Sequence, residues 1–148
     1  SPGWKFNQWE LQGVPVRIEI GPKDLMKQEF VAVRRDTGVK ETAKLAMAKD
    51  KVKMLLEQIH HDLYAKARKF LDGNTVEAKS MDEFVHHIKE RKMVLVPFCG
   101  DASCEDYIRE KTEGASSRCI PDKKLHDGAT CIRCGKPATV PVYFAKAY

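Results

Sequence analysis

No secretory leader and no transmembrane run accompanies the cysteines of this 148-residue chain, so the expectation is a cytoplasmic, reducing compartment with no membrane partner. Catalytic signatures are missing too. There is no Walker loop, no Gly-x-Ser-x-Gly, no His-Glu-x-x-His and no glycine fingerprint of a dinucleotide fold. The carboxylate pairs Asp82/Glu83 and Glu105/Asp106 stand where helices are expected to begin, which explains them without catalysis. Charge of one sign is also in short supply. The formal net charge is only +5, with +4 of it on residues 1–96 and +1 on residues 97–148. A polyanion would therefore meet the first part of the chain, although so small an excess is common on proteins that bind no nucleic acid. What remains reads as a binding module. Its 43% hydrophobic content can build one ordinary domain or two small ones.

Against these absences stands a quartet of cysteines, with Cys99 and Cys104 in Cys-Gly-Asp-Ala-Ser-Cys and Cys131 and Cys134 in Cys-Ile-Arg-Cys-Gly-Lys. Two short-range pairs can close a tetrahedron around one Zn²⁺, because each turn holds its sulfurs about 3.5–4 Å apart. Gly100 and Gly135 each follow a cysteine and let the backbone curl round a metal. Two disulfides, or unrelated buried thiols, are the alternatives; the reducing compartment favours the metal. Four cysteines fill every position of a zinc ion, so the expected role is structural. A small metalloenzyme would need one position open. His126 could replace a sulfur but is not needed, and the fifth cysteine, Cys119, is expected as a buried thiol.

Along the chain, Trp4 to Leu11 reads as a helix stopped by Gly13, followed by a strand at Val14–Ile20 with Val16, Ile18 and Ile20 inward and Arg17 and Glu19 wet. Gly21-Pro22 reads as a turn. A second strand is expected at Phe30–Arg35, and Lys40–Thr42 is expected to pair back on it across Asp36-Thr37-Gly38. The period then changes. Leu45, Val52, Leu55, Leu56, Ile59, Leu63, Ala67 and Phe70 mark a long amphipathic helix that Asp72-Gly73-Asn74 should end. Ser80-Met-Asp-Glu83 has capping-box spacing for a second helix carrying Phe84, Val85 and Ile88 inward. On that helix His86 and His87 read as surface or boundary residues, and as adjacent helical positions that point in different directions they are not expected to chelate. Met93–Phe98 is a buried strand that delivers Cys99, Ser103 is expected to cap a helix over Cys104–Lys111, and Arg118–Ile120 and Val140–Phe144 read as strands.

The first forty residues hold the recognition chemistry. Phe6, Glu10, Arg17, Lys23, Arg34, Arg35 and Lys40 place an aromatic, an acid and several bases on one helix, two strands and their turns. Single-stranded RNA is read by stacking and by hydrogen bonds to base edges, with a carboxylate suited to guanine N1–H and N2–H₂ and arginine to its O6 and N7. The alternative is Phe6 in the core, a solvated Arg17–Glu19 face, and lysines that only keep the surface soluble.

Taken together, Ser1-Pro-Gly-Trp-Lys-Phe6, Trp9-Glu-Leu11, Gly13–Asp24, Arg34-Arg35, Lys40-Glu-Thr42, the cysteine quartet and Phe144-Ala-Lys-Ala-Tyr148 resemble the prolyl-tRNA synthetases. The resemblance is to the eukaryote- and archaeon-like type with a zinc-bearing C-terminal extension, which also occurs in some bacteria. It implies an α/β anticodon-binding portion over residues 1–45, a mixed sheet with helices whose opening half and catalytic domain precede Ser1. An α+β zinc-binding C-terminal domain over residues 46–148 would follow. An incomplete sheet of this kind is expected to leave an unpaired edge and an uncovered face. The implied function is anticodon binding, without the active site, in an enzyme that ligates proline to its tRNA with ATP and Mg²⁺. The implied partners are proline tRNA, the rest of the synthetase chain and, in the complete enzyme, a second copy. By position Phe6 would stack, Glu10 and Arg17 would contact base edges, and Lys23, Arg35 and Lys40 would contact bases or phosphates. Cys99, Cys104, Cys131 and Cys134 would hold zinc, and Tyr148 would contact the catalytic domain. The competing reading is a free-standing zinc-stabilised module for RNA or protein that docks through the long helix, for which an exposed apolar stripe there is the distinguishing feature.

Overall fold

The computed structural model describes residues 1–147. It divides into two compact units, residues Ser1–Ala67 and the chain from Arg68 onward.

The first unit is a three-stranded antiparallel meander with helices. Helix α1 (Pro2–Leu11) ends at Gln12, and Gly13 takes φ +89°, a left-handed backbone that only glycine adopts freely. Strands β1 (Val16–Glu19), β2 (Glu29–Arg34) and β3 (Lys40–Lys44) follow in the sheet order β1-β2-β3. The register pairs Val16 with Arg34 and Val33 with Lys40. The Gly21-Pro22 step opens a helix rather than a bare turn. Proline fits its first position, and Asp24 Oδ2 accepts from the Gly21 N–H at 2.8 Å, giving α2 (Pro22–Met26).

Paired residues share a sheet face, so Phe30, Ala32 and Arg34 of β2 stand with Val16, Ile18 and Ala43. Phe30 and Ala32 are buried against Leu55 of helix α3 (Ala48–Asn74). The charged member of this face, Arg34, is buried and satisfied. It donates to both carboxylate oxygens of Asp36 at 3.0 and 2.7 Å and to Asp62 of α3 at 2.7 Å. Strand β1 departs from the expected alternation. Ile18 and Ile20 are 46% and 49% exposed, whereas Arg17 and Glu19 are half-buried. β1 is the edge strand. Contacts with α1 and β3 cover its polar side chains and Val16 packs on the core, while Ile18 finds no such cover. Trp4, Trp9 and Leu11 are exposed as well, so this unit carries an edge strand and bare apolar surface.

In the second unit, α3 runs through Asn74 and passes directly into β4 (Thr75–Glu77). Helix α4 (Met81–Lys89), β5 (Met93–Phe98), α5 (Ala102–Lys111), β6 (Ser116–Cys119) and β7 (Val140–Ala145) follow. The sheet order is β4-β5-β7-β6, with β4 parallel to β5 and the other pairs antiparallel. The core packs Phe84 and Ile88 of α4 and Ile108 of α5 on Val94, Val96, Phe98, Val142 and Phe144. Phe144 meets Phe84 and Phe98 edge-on at 5.8 and 5.4 Å between centroids, the arrangement that sets a positive ring edge against a negative face.

Both caps differ in detail from expectation. Ser80 Oγ accepts from the Glu83 N–H at 3.2 Å, but the Glu83 carboxylate reaches one residue further back, to the Lys79 N–H at 2.8 Å. Asp101, not Ser103, caps α5, its Oδ1 accepting from the Ser103 N–H at 2.9 Å. Cys119 is exposed rather than buried, because it ends the edge strand β6 at an irregularity in its pairing with β7.

Candidate metal centre and nucleic-acid interface

The four cysteines expected to gather do so. β5 delivers Cys99, Gly100 turns the backbone at φ +81°, and Cys104 lies in the first turn of α5. Across from them, the turn Cys131–Cys134 closes with the Gly135 N–H donating to Cys131 O at 3.0 Å. It is pinned to β5 by the Ile132 N–H donating to Pro97 O at 3.1 Å. All four sulfurs lie within 4.8 Å of one another; Cys99 Sγ is 3.5 Å from Cys104 Sγ and 3.9 Å from Cys134 Sγ. A disulfide would need about 2.05 Å. Four Zn–S bonds of about 2.3 Å set the tetrahedral edge at about 3.8 Å, so the donor set and its spacing fit zinc with every position filled. The glycines serve conformation more than space. A Cβ on Gly135 would meet nothing within 4 Å, but φ +70° excludes most side chains.

The thiols are unequal. Burial pushes the Cys104 thiol up to about 12. Burial also opposes ionisation at Cys131, yet backbone hydrogen bonds from Cys134, Arg133 and Cys99 stabilise its thiolate and bring it down to about 7. Arg133 Nη1 stands 3.9 Å from Cys104 Sγ, with its guanidinium 4.9 Å from the Tyr107 ring centre, placing a positive charge beside a cluster that turns anionic when it ligates metal. His126 is not among the gathered donors.

A second grouping was not expected. His86, His87 and Glu90 also bring their donor atoms within 4.8 Å of one another, because Glu90 lies one turn beyond both histidines, at 3.6 Å from His86 Nε2 and 3.4 Å from His87 Nδ1. It sits at the exposed end of α4, where it also places imidazoles by the negative helix end.

In the first unit, Arg17 is the hub. Its guanidinium lies 4.0 Å from the centre of the Phe6 ring, and it pairs with Glu10 of α1 and with Glu19, the latter at 2.9 Å. Glu19 in turn meets Lys40 Nζ at 3.5 Å, and Arg35 Nη1 donates to the Glu10 carbonyl at 3.4 Å. Five of the six residues singled out for RNA thus belong to one connected group, in which Phe6 is half-buried rather than core. Lys23 lies exposed on α2 and takes no part in these contacts. Beside the group opens a cleft of about 460 Å³, lined by Lys5, Phe6, Trp9, Glu10, Val14, Arg17 and Ile18. Trp9 and Lys5 were not singled out from sequence, although their spacing from Phe6 and Glu10 on one helix could have flagged them. Tyr148 lies outside the described residues.

Two family models match parts of the chain. Residues 1–55 match the model "Anticodon binding domain", and residues 81–148 match "Prolyl-tRNA synthetase, C-terminal". A proline–tRNA ligase of Oceanobacillus iheyensis is 46% identical over 147 residues, covering 99% of this chain and 30% of the relative. Proline–tRNA ligase 2 of Clostridioides difficile is 44% identical and that of Bacillus thuringiensis 41%, each over 149 residues, covering all of this chain and 31% of the relative. The chain therefore spans about a third of the length of the bacterial relatives it matches. Across that third it is similar to an anticodon-binding domain followed by the C-terminal domain of prolyl-tRNA synthetases.

Proposed function

We propose that this chain supplies anticodon reading and a structural zinc to a proline–tRNA ligase, the type with a zinc-bearing C-terminal extension. Proline activation with ATP and Mg²⁺ belongs to a catalytic domain elsewhere in the enzyme, which works in the cytoplasm as a homodimer. Residues 1–45 are the anticodon-binding part and residues 46–148 the zinc-binding domain.

One observation carries this reading. In the unit matched to an anticodon-binding domain, an aromatic ring, a guanidinium and a carboxylate meet at the mouth of a cleft. Phe6 offers a stacking surface, Glu10 accepts from the Watson–Crick edge of guanine, and Arg17 donates to O6 or N7. Arg35 and Lys40 hold the hub from the sheet side and contribute positive charge for bases or phosphates, as Lys23 does from α2. The Glu10–Arg17 pair does not obstruct binding. An ion pair this exposed is worth about 0–1 kcal/mol, less than the about 1–3 kcal/mol of a good base contact. The pair instead holds both groups in place before the base arrives.

In the full-length enzyme, Arg17→Ala is expected to weaken binding of proline tRNA by about 5- to 150-fold and to relax anticodon choice. Proline-dependent ATP–pyrophosphate exchange should be unchanged. Unaltered tRNA affinity would remove Arg17 from the interface.

A second reading, a zinc-stabilised module that binds protein through α3, draws on one feature. Leu56 and Leu63, a heptad apart, are 42% and 46% exposed, and Tyr64 beside them is 64% exposed. The mass of the native polypeptide separates the two: several hundred residues more supports the ligase, and 148 residues supports the module.

A further inference from the structure

Charge in the C-terminal unit is segregated more sharply than its near-zero net value suggests. Five acids, Asp101, Glu105, Asp106, Glu110 and Glu113, lie on or beside α5 with the bases Arg109 and Lys111, whereas four bases and a single acid line a groove beside the cysteine turn. The groove exists because β4 stops at Glu77. Past that residue, among the described residues, the edge of β5 is met only by the Ala78 N–H at Leu95 O and the Ile132 N–H at Pro97 O, and a cleft of about 690 Å³ opens there. Its floor is apolar, formed by β5 and Pro141. Its rim carries Lys79, Lys123, Lys124 and Arg133, all exposed, and Glu77 is the only acid among its described lining residues.

We propose that this groove binds the phosphodiester backbone of tRNA, away from the bases that specify it. The proposal rests on the tRNA-binding reading above and adds to it a second, sequence-independent contact. The choice of phosphate over an acidic polypeptide follows from the cations. Three are lysines, compact point charges on flexible stems, and Lys123 and Lys124 stand on a segment with no regular secondary structure. They can follow a chain of phosphates but cannot impose the planar two-point geometry that recognises carboxylates. The only arginine on the rim is committed to the Tyr107 ring and to the cysteine cluster. Glu77 meets Lys123 Nζ at 3.5 Å, an exposed pairing worth little that a phosphate displaces, and among the described residues no arginine–carboxylate pair like Arg17 with Glu10 lines the groove, so its contribution is uniform across RNA sequences.

The test uses the full-length protein and two transcripts, proline tRNA and the same tRNA with one anticodon guanine changed to adenine, bound at 50 and 200 mM salt. Lys123→Gln/Lys124→Gln should weaken both transcripts equally and leave their ratio untouched. Loss of two phosphate contacts should make the wild-type advantage about tenfold larger at 50 mM than at 200 mM. Arg17→Ala, in contrast, should change the ratio between transcripts. Unchanged affinity and salt dependence in the double lysine variant, with Arg17→Ala still effective, overturns the groove and leaves the anticodon reading standing. If polyglutamate displaces tRNA no better from the wild type than from the lysine variant, the groove is not a peptide site; selective displacement overturns the phosphate assignment. If neither Arg17→Ala nor the anticodon change matters, the underlying reading fails instead.

Discussion

Arg34 shows how a residue that sequence offers as a ligand contact can be spent on structure. Its position in an Arg-Arg pair suggested an exposed base, but cross-strand pairing turns it to the same face as Phe30, where Asp36 and Asp62 receive it. Those hydrogen bonds hold both carboxyls below the usual carboxylate range, against the opposing push of burial. A carboxyl depressed by folding contributes its full stability above its unfolded pKa near 4, and that contribution fades as pH falls through the lower folded value. The melting temperature should therefore fall as pH drops below about 4. Asp36→Asn should melt lower at pH 6 yet lose about half as much of this acid-dependent component, since one of two depressed carboxyls is gone. Parallel pH profiles would mean that the pair stabilises nothing. Arg17 is the reverse case. Alternation placed it in solvent, and the contact with Phe6 that makes it a hub was beyond any local pattern, because it joins α1 to β1.

At the scale of elements, periodicity and cap chemistry carried far. The helices over α1, α3, α4 and α5 and the strands over β2, β5 and β7 stand where apolar spacing and cap chemistry placed them. β4 escaped because three residues cannot display a period, and its strand character comes from the β5 edge it joins. α2 escaped for a related reason. Gly-Pro signals a turn, and only the Asp24 carboxylate three residues on marks it as a helix start. The cap of α5 is a contest between neighbours that sequence alone leaves open, since both Asp101 and Ser103 are good N-caps. The structure gives a clear expectation. In urea unfolding, Ser80→Ala sets the scale of a lost cap at about 1 kcal/mol. Asp101→Ala should lower the midpoint visibly, whereas Ser103→Ala, which removes a hydroxyl with no capping role, should leave it in place. The opposite order would return the cap to Ser103.

For the molecule as a whole, the cysteine quartet was the most legible feature and the groove the least. Cysteine spacing is a local code that survives any arrangement of the surrounding elements. The groove depends on where a strand stops and on which side of a turn a coil segment falls, and summed charge conceals it. That coil segment, residues 121–130, connects β6 to the cysteine turn and carries Lys123 and Lys124 fully in reach of solvent. A single tryptic cut there would leave Cys99 and Cys104 on one polypeptide and Cys131 and Cys134 on the other, with β5 and β7 likewise divided. The nicked zinc-loaded protein should elute as one species in gel filtration and run as two bands once denatured. Stripping the ion with a chelator should loosen the association, because the tetrathiolate is then no longer a clasp between separate chains. The C-terminal domain would thus persist as a non-covalent complex of two peptides, its continuity maintained by coordination where the backbone no longer provides it.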